Sequence, residues 1–148
     1  MARRPWVPRN NAPTIDQQRM LIGLLFPHFR YRRERGVPVW RGTLQPRDCS
    51  PEYHVKIEYR IGKHPRVWVT APPVVENAPH LYKDGTLCLY YPKDRSWNKQ
   101  SWIARTIMPW TAEWLLLYEL WLETGKWWGL EAPHNGSEPK GQKARRSR

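Results

Sequence analysis

A chain of 148 residues can bury a core of its own, and that length favours one domain with short tails over two domains. Fifteen prolines and ten tryptophans argue against a helical bundle and for a compact mixed fold with many tight connections. The formal charge of +12 raises a nucleic-acid reading, but the charge is unevenly placed. Arg3, Arg4 and Arg9, then Arg30, Arg32, Arg33 and Arg35, then Lys140, Lys143, Arg145, Arg146 and Arg148 make up 12 of the 25 basic residues, and only Glu34 opposes them. The remaining 13 basic and 12 acidic residues nearly cancel, so the charge is expected on solvated ends and one loop rather than on a nucleic-acid-binding body.

Two cysteines 39 positions apart, a start of Met-Ala-Arg-Arg-Pro without the apolar core of a signal peptide, and no run of about 20 apolar residues predict a cytoplasmic protein without a membrane span.

Residues 1–13, rich in Pro, Asn and Arg, read as an irregular basic lead-in, and the folded domain is expected over residues 14–134. Thr14-Ile-Asp-Gln17 has the form of a capping box that opens a helix, and Pro27 should close it. Met20, Leu21, Leu24 and Leu25 recur at helical spacing, as a stripe that would lie against a sheet. The Arg30–Arg35 cluster reads as a loop. Three strands follow, at 39–44, 53–61 and 66–70. The second is clearest, with Tyr53, Val55, Ile57, Tyr59 and Ile61 on one face and His54, Lys56, Glu58 and Arg60 on the other. Short turns at 46–51 and 62–65 suit an antiparallel meander. Residues 71–100, broken by prolines, are expected to be loops, and a helix from about Pro109 to Thr124 closes at Gly125. Its Trp110, Trp114, Leu117 and Trp121 fall on one stripe and predict core packing. Residues 135–148 have too few apolar groups to order and read as a disordered basic tail.

A cysteine between two leucines is by itself more often a small buried hydrophobe than a nucleophile. The surroundings of Cys88 reverse that reading: Ala78-Pro-His80 precedes it, Gly85-Thr-Leu-Cys88-Leu89 contains it, and Trp97 follows nine residues later. This order resembles the ubiquitin-conjugating enzymes over roughly residues 14–124. The resemblance implies an α+β fold with an N-terminal helix, a four-stranded antiparallel β-meander, an active-site loop and a long C-terminal helix. It also implies that Cys88 is a catalytic thiol carrying an acyl group as a thioester. The family's His-Pro-Asn positions are held here by Ala78, Pro79 and His80, so histidine stands where the family's oxyanion-stabilising asparagine is expected. A ring nitrogen of His80 can still donate a hydrogen bond there.

By the same resemblance Tyr82 falls where some members carry a tyrosine lining the groove for a substrate lysine, against a plain packing role. Asp84-Gly85 reads as the turn presenting the cysteine, and Lys83 as a charge that would favour the thiolate, with Asp84 opposing it. Trp97 is expected to pin the loop after Cys88 to the core, and His134 to be a surface histidine. The segments Leu81–Tyr90 and Trp110–Gly129 are similar to the bacterial branch found in CBASS antiphage operons. That branch implies, as acyl donor, the C-terminus of a cGAS/DncV-like nucleotidyltransferase.

Cys49 lies in a turn with no adjacent base and reads as an inert thiol. Two isolated cysteines and five scattered histidines do not form a zinc pattern, and no cofactor motif is present. Without a phosphate-binding glycine loop, activation of the acyl group would fall to a separate activating enzyme. Two other readings stand beside the leading one: a non-catalytic adaptor of the same fold, and a basic nucleic-acid-binding module.

Overall fold

The computed structural model describes residues 12–90 and 96–129. Residues 1–11 of the expected lead-in 1–13, the tail 135–148 and His134 lie outside the described residues.

Helix α1 spans Ile15–Leu25. Thr14 caps it as its sequence implies: its Oγ1 accepts from the Gln17 amide at 3.1 Å, and the Gln17 side chain accepts from the Thr14 amide at 2.9 Å. Of the apolar stripe, however, only Leu21 packs against the core. Met20, Leu24 and Leu25 are exposed, whereas Gln18 and Ile22 are buried. The reason is a polar anchor. Gln18 donates from Nε2 to the Ser101 carbonyl and accepts from the Ile103 amide, both at 3.0 Å, and these bonds turn its side of the helix inward.

Four strands follow in a meander, β1 Arg30–Glu34, β2 Val37–Leu44, β3 Tyr53–Glu58 and β4 Arg66–Ala71, each antiparallel to the next. The arginine cluster is therefore a strand rather than a loop. Arg30 to Glu34 pair in register with Arg41 to Val37, and Glu34 takes a bidentate contact from Arg41 at 2.9 and 3.2 Å. Salt and hydrogen bonding to Arg41 hold the Glu34 carboxyl below its usual range. A charged, narrow edge strand of this kind resists pairing with a second sheet.

The alternation of β3 holds. Tyr53, Val55 and Ile57 are buried beside Trp40 and Val67 of the neighbouring strands. It stops short of Ile61, which lies beyond the strand and is exposed. Each large apolar side chain buried in this way stabilises the fold by about 1.5–3 kcal/mol.

A 3-10 turn at Ile103–Arg105 leads into α2, Ile107–Thr124, which ends at Gly125 in a left-handed conformation with φ 73°. Pro109 falls in the first turn, where its missing amide costs no helical hydrogen bond, so it does not kink the helix. The helix is buried over a wide arc containing Ile107, Met108, Thr111, Trp114, Leu115, Tyr118 and Glu119. Of the tryptophan stripe only Trp114 is fully buried; Trp110, Leu117 and Trp121 form the half-buried margin of that arc.

Candidate functional site

The segment after β4 folds into a small hairpin with Cys88 on its returning arm. Leu81 and Leu87 form an antiparallel bridge, the Tyr82 amide donates to the Thr86 carbonyl at 2.9 Å, and Gly85 takes φ 84° at the turn. That backbone conformation is open to glycine at no steric cost. The Asp84 carboxylate fastens the turn. One oxygen accepts from the Thr86 amide at 2.9 Å and the Thr86 hydroxyl at 2.6 Å, and the other accepts from Arg66 at 2.6 Å. The Thr86 bonds, with help from Arg66, lower the Asp84 carboxyl to about 2. Asp84 is thus committed to the hairpin and to β4. Lys83 beside it is exposed and lines a wide groove rather than contacting the thiol.

At the hairpin base, the Cys88 amide donates to the His80 carbonyl at 2.9 Å, and the Leu87 amide donates to Val67 of β4. The same His80 carbonyl accepts from Trp114 Nε1 of α2 at 3.0 Å. These two donors hold His80 at φ 53°, a left-handed conformation that asparagine and histidine adopt more readily than most residues. The departure from the family's asparagine therefore keeps a residue suited to the backbone required here. The His80 ring leans on Trp127, with centroids 5.0 Å apart.

Cys88 is half-buried, and its Sγ lies 3.7 Å from the Tyr90 carbonyl. It shares a cavity of about 160 Å³ with His80, Glu113 and the three tryptophans Trp110, Trp114 and Trp127. On the other side of the hairpin, a groove of about 680 Å³ runs along Tyr82, Leu87 and Leu89 to His64 and Tyr90. Tyr82 is exposed along this groove, and its hydroxyl is raised above the usual tyrosine range, first by partial burial and then by the neighbouring Cys88. The structure thus brings Cys88 and His80 into one cavity, leaves Tyr82 on the neighbouring groove and turns Asp84 toward Arg66. Trp97 is buried against Tyr59 and His64, with centroids 5.7 Å from each, and ties the chain after Cys88 to the sheet.

Glu113 and Trp127 had not been singled out from the sequence. Glu113 sits at i, i+3 from Trp110, and this spacing marks it as a neighbour of the stripe. Nothing in the sequence reveals that the stripe's margin faces the cysteine. Cys49 is exposed and lies away from the cavity. Among the described residues no group of His, Cys, Asp and Glu could hold a metal ion, and no helix is long and apolar enough to cross a membrane.

A helix, a four-stranded meander, a cysteine-bearing hairpin and a second helix make an α+β protein with the element order expected of E2-like proteins. Within that class, residues 18–135 match the family model described as type II CBASS E2 protein. The chain belongs to this family and is a CBASS E2-like protein of antiphage defence. No curated protein matches it.

Proposed function

We propose that this protein is an acyl carrier. Cys88 takes the C-terminal acyl group of a protein partner, a cGAS/DncV-like nucleotidyltransferase of the same operon, as a thioester and passes it to an acceptor. The observation that carries the reading is the position of Cys88: half-exposed, on a braced hairpin, in one cavity with His80.

The thiolate adds to the carbonyl carbon of an activated C-terminus, and the leaving group departs with the electron pair of the broken bond. A separate activating component supplies that activated acyl group. His80 lines the cavity at the thiol and offers a ring nitrogen as donor to the oxyanion that forms. Tyr82, exposed on the groove beside the hairpin, positions the incoming group. Asp84 positions indirectly, by holding the hairpin turn.

The test is intact mass under non-reducing conditions after co-expression with the neighbouring operon proteins. Wild type should gain the mass of the partner less water, released by thiol, and Cys88→Ala should gain nothing. His80→Ala should slow transfer about a hundredfold, the scale of one lost oxyanion donor, without comparable loss of stability. Partner binding that survives Cys88→Ala, with no adduct in wild type, would instead identify the non-catalytic adaptor.

A further inference from the structure

The outer face of the sheet carries a row of charge that neither the core nor the Cys88 site uses. Tyr31, Trp40, Ile57 and Val67 are in register across the four strands and pack into the core. Arg30, Arg41, Lys56 and Trp68, each one residue removed and likewise in register, therefore form a row on the opposite face. At about 4.8 Å from strand to strand the row is about 14 Å long. Its three cations stand directly opposite one another, an arrangement that costs a sheet stability. Protection of the sheet edge accounts for Arg30 and Arg32 on β1, but not for Arg41 and Lys56, which lie on interior strands. The carboxylates of this face do not cancel the charge: Arg41 takes Glu34 at 2.9 and 3.2 Å, Arg60 takes Glu58 at 3.1 Å, and Lys56 lies 3.8 Å from the first and 4.0 Å from the second. Arg30 and Arg32, both exposed, meet no carboxylate among the described residues. Other cations without a carboxylate, such as Lys63, Lys83, Lys99 and Arg105, stand singly on separate segments, so density on one rigid face sets this row apart. Trp68 ends the row half-buried, with Lys56 Nζ 4.9 Å and the Arg66 guanidinium 4.8 Å from its ring centroid.

We infer that this outer face binds single-stranded nucleic acid, with backbone phosphates on Arg30 and Arg32 and a base against Trp68. The inference does not rest on the acyl-carrier reading of Cys88. The weak case for nucleic acid in the sequence assumed that the Arg30–Arg35 cluster was a loop; as strand β1 it belongs to the folded body and holds its charges in fixed positions. Guanidinium groups match phosphate oxygens with two parallel hydrogen bonds. A protein partner would need apolar anchors at the centre of its contact, and none of the exposed large apolar side chains falls on strands β1 to β4. A phosphate backbone needs none. The ring of Trp68 favours a single strand over a duplex, because only an unpaired base can lie on an aromatic side chain in a sheet face.

The experiment follows fluorescence anisotropy of a labelled oligodeoxythymidine of about 16 nucleotides on adding the full chain, repeated between about 50 and 200 mM salt. Arg30→Ser with Arg32→Ser should flatten the slope of log affinity against log salt by about 1.4, the share of two phosphates on a single strand, and Arg30→Lys with Arg32→Lys should keep the slope. Trp68→Ala should lower affinity about tenfold at every salt concentration without changing the slope, and Trp68→Phe should keep most of the affinity, which separates stacking from loss of fold. An unchanged slope in the double serine variant would assign the binding to the basic segments outside the described residues and overturn the inference. Absence of wild-type binding at the lowest salt would overturn it as well. Displacement of the oligonucleotide by poly-glutamate at equal charge would identify a surface for acidic polymers, proteins included, and would likewise overturn it.

Discussion

Two glutamates on α2, six residues apart, have opposite surroundings. Glu119 is buried and saturated: Arg47 Nε donates to it at 2.9 Å, Ser50 at 2.8 Å and Tyr53 at 3.0 Å, while Arg47 also reaches Glu123 at 2.7 Å. Burial and the bond to Glu119 push the Tyr53 hydroxyl above its usual range. Glu113 faces the thiol's cavity, exposed and unmatched by any cation of the described residues. The first arrangement locks the β2–β3 turn to the helix; the second leaves an exposed charge on the wall of the cavity. A helix can therefore be scaffold on one face and site on another, and the degree of satisfaction separates the two better than residue type does.

The contrast is broken most severely at the scaffold end. Glu119→Ala leaves Arg47, Ser50 and Tyr53 without their acceptor and should cost about 3 kcal/mol in urea denaturation. A cost near that of an exposed substitution would show that the network is not structural. Gln18→Ala orphans the Ile103 amide and the Ser101 carbonyl, and a loss of about 2 kcal/mol is expected by the same measurement.

The smallest effect lies in the hairpin and depends on pH. Because folding depresses the Asp84 carboxyl from 3.8 to about 2, its contribution is present above about pH 4 and is lost as pH falls through 2. Asp84→Asn should therefore be less stable than wild type at neutral pH, with the gap closing between about pH 4 and 2. A gap that stays constant across that window would mean that the charge is not what braces the turn.

Elements whose local chemistry agrees with their packing were legible in advance. Thr14 and Gln17 carry their cap in four residues, the alternation of β3 carries its buried face, and Gly85 and Gly125 mark positions of positive φ. The turn at Asp84-Gly85 that presents Cys88 was legible too, but the Leu81–Leu87 pairing that makes a hairpin of it was not, because residues 71–100 read as loops. Strand β1 was not, because its arginines show no apolar alternation and its pairing with β2 supplies what the sequence lacks. The inner face of α1 was misread for the opposite reason: apolar spacing marked Met20 and Leu24, but the buried anchor is a glutamine whose partners lie more than 80 residues away. The cavity at Cys88 likewise depends on a contact distant in sequence, since only folding carries α2 over the hairpin.

The central claim is that Cys88, and not the exposed Cys49, carries the acyl group. Peptide mapping of the partner adduct, with free thiols blocked by iodoacetamide, tests it most directly. The account predicts a hydroxylamine-labile bond on the peptide containing Cys88 and an alkylated Cys49. A labile bond on Cys49, or an adduct joined only through an amide while Cys88 is fully alkylated, would contradict it.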